Sequence, residues 1–344
     1  MTMWLGNASH QCTNLPMYQY QSTNLPRSPC LLVSLSPRRE SAMRIAVLGT
    51  GALGCVFAAR LAGQAEVWML GTWAAGIAAV QRAGIRVHEG ETVRQARVSA
   101  STDPADVPAA DVALLLVKSY QTDRAAAWAA QVLAPDGLAV TLQNGLDNGP
   151  KLSAAVGQDR AAIGVTYIGA LLIGPGEVRH TVDLPSYIGV TDATRARAQA
   201  FAALLQAAGL ETRLTDDIEG RLWGKALANA VINPLTALWR VANGGPVETE
   251  ERRVVLRALV EEAAAVARAR GVKLPFDDPV AYVESVCRAT AANHSSMYQD
   301  VTSGRPTEID SINGVIVAEG RRLGVPTPVN EAVWWLVRGA VVTR

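Results

Sequence analysis

Lys225 lies in Leu222-Trp-Gly-Lys-Ala-Leu-Ala-Asn-Ala-Val-Ile-Asn-Pro234, a stretch of helical character. Only four of the chain's 32 basic residues are lysines, at 118, 151, 225 and 273. The chain thus favours arginine yet keeps an ammonium here, where an acid able to release its proton has a use that a guanidinium does not serve. Asn229 and Asn233 follow at i+4 and i+8, within about 80° of Lys225 on one helical face. Leu222, Ala226, Val231 and Ile232 fill much of the remaining surface. A polar stripe on such a helix faces either water or a substrate, because burying an amide or ammonium without a partner is costly. Pro234 sharpens the choice: proline inside a helix frees the carbonyl of Ala230 and kinks the axis, a defect found at functional sites.

Far upstream, Gly49-Thr50-Gly51-Ala52-Leu53-Gly54 follows the apolar run Arg44-Ile-Ala-Val-Leu48. A strand, a glycine turn and a helix within a βαβ unit let backbone amides approach a pyrophosphate at the helix N-terminus. With a proton donor downstream, this pairing suggests a reductase. About 20 residues on, an unphosphorylated dinucleotide calls for Asp or Glu and a phosphorylated one for Arg. Val67-Trp-Met-Leu-Gly-Thr72-Trp73 offers neither. Lys118 ends the third expected strand, and Gln143-Asn144-Gly145 follows the fourth. Ligands of open parallel sheets sit outside those carboxyl ends, although a solvated lysine and a plain Asn-Gly turn would read the same way.

A third cluster runs Asn293-His-Ser-Ser296-Met-Tyr-Gln-Asp300 and Gly304-Arg-Pro-Thr-Glu308-Ile-Asp-Ser-Ile-Asn-Gly314. Ser296 and Asn293 suit a substrate's carboxylate and hydroxyl. Glu308, at an expected helix start, could orient Lys225, bind a substrate hydroxyl, or simply complement the helix dipole. His294 reads as structural or exposed.

To position these groups, residues 45–48, 53–62, 67–70, 74–83, 112–117, 121–132 and 138–142 alternate as strand and helix. Segments 162–172, 176–181 and 186–190 read as added edge strands, and 195–209 as a helix. From 216 onward the pattern is helical, at 218–231, 248–270, 280–291, 311–323 and 329–342. The expected domains are a low-complexity extension or mis-assigned start at 1–42, a dinucleotide-binding α/β domain at 43–215, and a helical substrate and catalytic domain at 216–344.

Net charge is +1 over 344 residues, and without residues 1–42 the balance is 29 basic to 30 acidic groups. No basic field exists to draw nucleic acid. Cys12, Cys30, Cys55 and Cys287 show no metal-ligand spacing and suit a reducing cytoplasm. The longest apolar runs are strand-sized, so no membrane span is expected. The partner is expected to be a small molecule and the protein a monomer or homodimer.

The Gly49–Gly54 turn, Val117-Lys118, Gln143-Asn144-Gly145, Lys225 with Asn229 and Asn233-Pro-Leu-Thr-Ala-Leu, Ser295-Ser-Met-Tyr-Gln-Asp300 and Thr307-Glu-Ile-Asp-Ser-Ile-Asn-Gly314 together resemble the ketopantoate reductase (2-dehydropantoate 2-reductase) family from Met43 to the C-terminus. The resemblance implies a Rossmann-type domain followed by a helical domain like that of 6-phosphogluconate dehydrogenase, with the active site between them. It implies NADPH-dependent reduction of 2-dehydropantoate, a small 2-oxo acid, to pantoate in pantothenate biosynthesis. Lys225 would be the general acid, and Asn229, Asn233, Asn293, Ser296 and Glu308 would hold substrate. Lys118 and Asn144 would lie where cofactor meets substrate, and Gly49, Thr50, Gly51, Ala52, Leu53, Gly54 and Thr72 would line the cofactor. Two departures stand out. Thr72 replaces the arginine such proteins commonly place after the second strand, which leaves NADH possible, and Thr166-Tyr-Ile-Gly lacks a histidine that relatives often show. Rival readings are a related reductase of another 2-oxo acid and a non-catalytic dinucleotide sensor.

Overall fold

The computed structural model describes residues 43–341, and the expected extension at 1–42 lies outside them. The chain runs β1 (Arg44–Leu48), α1 (Ala52–Leu61), β2 (Glu66–Leu70), α2 (Ala74–Ala83), β3 (Ile85–Glu89), β4 (Thr92–Ala96), β5 (Ser99–Ser101), β6 (Ala110–Leu115), α3 (Thr122–Val132), β7 (Leu133–Thr141) and α4 (Asn148–Val156). It continues through β8 (Ala161–Thr166), β9 (Gly169–Gly174), β10 (Glu177–Val182), β11 (Ser186–Gly189), α5 (Arg195–Ala207) and β12 (Thr212–Thr215). The helical part is α6 (Ile218–Trp239), α7 (Glu250–Ala269), α8 (Pro279–Ala289), α9 (Ser296–Thr302), α10 (Val315–Leu323) and α11 (Pro328–Ala340).

The main sheet is ordered β12-β11-β8-β7-β6-β1-β2-β5. All its pairings are parallel except β8 with β11. β1 is central and buried on both faces: Ile45 and Val47 pack with α1, while Ala46 and Leu48 pack with the residues of α3 and α4. This two-sided burial is why its sequence is continuously apolar rather than alternating. The sheet reverses direction of growth between β2 and β6 on either side of β1, which opens a crevice at the carboxyl ends.

A second sheet, β4-β3-β10-β9, covers α1. The strands expected near 162–190 therefore divide: β8 and β11 join the main sheet, whereas β9 and β10 pair with each other and β10 pairs with β3 in the second sheet. β3 to β5, α4, β12 and α9 had no counterpart among the expected elements. They are short, and β4 is almost wholly exposed, so none carries a long apolar period.

The helical core is built on α6 and α7. α6 does not end near Val231 but continues through Pro234 to Trp239. The carbonyl of Ala230, which Pro234 leaves without its helical donor, accepts the buried side-chain amide of Asn313 at 2.8 Å. Asn313 lies in a single π-turn, Asp310–Gly314, at the point where a plain helix was expected. That wide turn coincides with the place where Asn313 reaches α6.

Candidate active site

The three glycines of the turn do different work. Gly49 has φ +127°, and a Cβ there would stand 2.8 Å from the Leu116 backbone, so the turn passes directly against the strand-end segment that follows β6. Gly54 allows α1 to pack on the turn, since a Cβ would lie 2.0 Å from the Gly49 carbonyl oxygen. Gly51 precedes α1, and nothing among the described residues lies within 4 Å of the Cβ it lacks. No acid stands in the first turn of α1, so the exposed amides and helix dipole present an anion-compatible end.

This end opens into a cleft of about 990 Å³. Gly49, Thr50, Gly51, Ala52, Leu53 and Thr72 line it, together with Lys118, Asn144, Lys225, Asn229, Asn233, Asn293, Ser296 and Glu308. The structure thus brings together every site residue expected from sequence except Gly54, which is buried in the packing of α1.

At the carboxyl end of β6, Lys118 reaches across to the helical part, where its ammonium meets Asp300 at 2.6 Å and Glu308 at 3.7 Å. Burial pushes the Lys118 pKa down, but the charges of Glu308 and Asp300 and the hydrogen bond to Asp300 outweigh it, and the net shift is upward. Asp300 is itself buried and accepts a second cation, Arg305, at 3.1 Å. Glu308 accepts the backbone N–H of Ser119 at 3.0 Å and the Asn144 amide at 3.3 Å. Of the roles the sequence left open for it, orienting Lys225, binding a substrate hydroxyl or complementing a helix dipole, none names its contacts here: it ties the two strand-end loops together and acts on Lys225 through its charge.

Asn144 is held from below. Asn148 donates to its carbonyl oxygen at 2.7 Å, and Asn148 in turn accepts the Thr122 hydroxyl at 2.7 Å. Gln143 donates to the Val117 carbonyl and the Thr122 hydroxyl, both at 2.9 Å, locking the ends of β6 and β7 in register. With its backbone carbonyl held by Asn148 and its side-chain amide on Glu308, Asn144 has little freedom left to lose on binding a ligand.

Lys225 enters from α6. Its ammonium donates to the Thr166 carbonyl at 2.5 Å and stands 5.6 Å from the Tyr167 ring centroid. Desolvation lowers its pKa from the ordinary 10.5 to about 8, against the opposing charge of Glu308. Two ammonium hydrogens remain for the cleft. Asn229 and Asn233 follow one and two turns along α6 on the same wall, and Asn233 is buried. Tyr167, beside Lys225, is pushed up to about 12 by burial and stays protonated through the working range.

Ser295, not Ser296, caps α9: its hydroxyl accepts the Tyr298 N–H at 3.1 Å and pairs with Thr236 at 2.7 Å. Ser296 is thereby left facing the cleft. His294 is exposed, with its ring 4.4 Å from that of Tyr298. Three residues of consequence were not singled out in the sequence. Asp300 was only part of a quoted string. Asn243 hid in an Asn-Gly-Gly turn; its amide donates to Thr290 at 3.1 Å, while its buried Oδ1 has no partner among the described residues. Arg124 lines the cleft from α3.

Comparison with known proteins agrees with this geometry. Residues 45–193 match the family model for ketopantoate reductase PanE/ApbA, and residues 217–341 match that for the ketopantoate reductase PanE/ApbA C terminal. The 2-dehydropantoate 2-reductase of Halobacterium salinarum is 37% identical over 299 residues, covering 86% of this chain and 98% of the relative. That of Archaeoglobus fulgidus is 35% identical over 301 residues, covering 86% and 97%. Among solved structures, a PanE/ApbA family ketopantoate reductase from Ralstonia eutropha superposes with a TM-score of 0.81 at 35% identity, over 87% of this chain and 98% of that one. D-mandelate dehydrogenase with NADH and anilino(oxo)acetate superposes with a TM-score of 0.82 at 26% identity, over 87% and 98%. With a glycine turn, a lysine-bearing helix and a carboxylate-braced strand end on one cleft, and with both family models matched in order, the chain belongs to the ketopantoate reductase PanE/ApbA family of oxidoreductases.

Proposed function

We propose that this protein reduces 2-dehydropantoate to pantoate with NADPH, Lys225 donating the proton. The observation that carries the reading is the approach of Lys225 to the same cleft as the glycine turn, with its pKa lowered to about 8. Open space beside Gly51 at an acid-free helix end fits a dinucleotide pyrophosphate. When bound, the reduced nicotinamide supplies the hydride to the keto carbon. Lys225 meets the negative charge that develops on the keto oxygen and gives up a proton to it, and the Thr166 carbonyl holds the ammonium in place. Asn229, Asn233, Asn293 and Ser296 orient the substrate's carboxylate and hydroxyl. The partnerless Oδ1 of Asn243 accepts a substrate hydroxyl that would otherwise leave it unsatisfied. Glu308 positions Asn144 and Ser119 and holds Lys225 protonated.

A second reading, reduction of a different 2-oxo acid, is favoured by the similarity to a D-mandelate dehydrogenase bound to anilino(oxo)acetate and by the apolar cleft wall of Tyr167, Ile232 and Val286. Steady-state rates with a panel of 2-oxo acids and both reduced nicotinamides separate these. The highest kcat/KM is expected for 2-dehydropantoate. An arylglyoxylate as best substrate would establish the second reading, and tight dinucleotide binding with no turnover of any acid would make the protein a sensor.

A further inference from the structure

Among the described residues, four cationic side chains other than histidine line the cleft: Lys118, Arg124, Arg179 and Lys225. Lys118 is committed to Asp300 and Glu308, and Lys225 to the Thr166 carbonyl. Among the described residues, Arg124 and Arg179 form neither an ion pair nor a side-chain hydrogen bond. Glu308 is the one lining carboxylate among the described residues, and it lies at the Lys118 end. We propose that Arg124 is the residue that recognises the 2′-phosphate of a phosphorylated dinucleotide, taking over the task that Thr72 cannot perform. The proposal rests on the reading above that the cleft takes NADPH.

Topology places Arg124 on the correct side. β1 is flanked by β2 and β6, so Thr72, just beyond β2, and α3, which follows β6, border the glycine turn from its two sides. Gln121, Arg124, Ala125 and Trp128 all line the cleft, at the i, i+3, i+4 and i+7 spacing of one helical face. That face offers an amide, a guanidinium and an apolar wall, and Trp73 lines the cleft from the β2 side. A purine nucleoside seated between the two strand ends would place its ribose by Thr72, with the guanidinium as the uncommitted charge on the α3 side of the glycine turn. Arg179 stands instead on β10, in the sheet that covers α1.

A second observation points the same way. Arg124 lies in the first turn of α3, where a cation opposes the helix dipole that its neighbour Asp123 complements. The placement is unfavourable for the helix alone and becomes favourable once an anion sits between the guanidinium and the N-terminal amides. Arg124 is exposed, so its replacement leaves the core untouched.

The test titrates the full-length protein with 2′-phospho-ADP-ribose and with ADP-ribose by calorimetry, so the readout is binding and not turnover. Arg124→Ala should weaken the phosphorylated ligand about 10- to 100-fold and leave ADP-ribose unchanged, and Arg124→Lys should recover part of the loss. Arg179→Ala serves as the comparison and should not alter the ratio. The proposal is overturned if Arg124→Ala weakens both ligands equally, if it weakens neither, or if Arg179→Ala produces the selective loss. In those cases wild-type binding still stands and the dinucleotide reading survives. Failure of the wild-type protein to bind either ligand overturns both.

Discussion

If Lys225 is the proton donor, the pH dependence of reduction follows from its surroundings. The protonated form is the active acid, and burial sets its pKa at about 8 in the free protein. About nine-tenths of the lysines carry the proton at pH 7 and about one-tenth at pH 9, so kcat/KM should fall through pH 8 and then by about tenfold per unit. Glu308 raises the Lys225 pKa by its charge. Glu308→Gln keeps an oxygen for the Ser119 N–H while removing that charge, so the falling limb should move to lower pH. Lys225→Ala should cut turnover by about 10²-fold or more and leave dinucleotide affinity nearly intact. Lys225→Arg should restore little, since the guanidinium keeps its proton. The assay is the initial rate of NADPH oxidation across pH 6 to 10 for each variant. A wild-type profile flat through that range, or a Glu308→Gln limb moved to higher pH, would refute the assignment.

The remaining expectations concern architecture. Lys225→Met should raise the thermal midpoint at pH 7: its folded pKa lies below the unfolded value, so the cost of the buried charge is fully present below about pH 8 and fades only as pH rises toward 10.5; an unchanged or lower midpoint would show the ammonium to be well solvated. Asn313→Leu strands the Ala230 carbonyl in the core and should cost about 1–3 kcal/mol in urea denaturation, with a loss below about 0.5 kcal/mol counting against the pairing. Gly51→Ala should fold normally yet bind dinucleotide weakly, because its Cβ enters open cleft. Gly54→Ala should lower thermal stability as well, because its Cβ meets a backbone oxygen at 2.0 Å. Identical melting curves for the two would contradict the division of labour in the turn. Asp300→Ala removes the shared partner of Lys118 and Arg305 and should cost about 1–3 kcal/mol, less than for a fully buried pair because Lys118 is one-third exposed; a melting curve unchanged from wild type would show the pair to be dispensable.

Local chemistry was legible in the chain. The strand, glycine turn and helix at 44–61 follow from apolar runs and glycines a few residues apart, and the same-face placement of Lys225, Asn229 and Asn233 follows from helical geometry alone. What could not be read was whatever depends on partners distant along the chain. Nothing local says that β10 leaves the main sheet for β3, because a short half-exposed strand carries no record of its neighbour. Glu308 looked like a partner for Lys225 because both are charged and both were expected in the site. The fold instead gives its two oxygens to Ser119 and Asn144, 189 and 164 residues away. Pro234 read as a kink or a stop, yet α6 passes through it, since Asn313, 83 residues beyond Ala230, supplies the donor that the Ala230 carbonyl lacks. Periodicity and turn chemistry act over a few residues and are written in order. The satisfaction of buried polar groups is decided among whichever residues the packed core brings within about 3 Å, and only the tertiary structure states which those are.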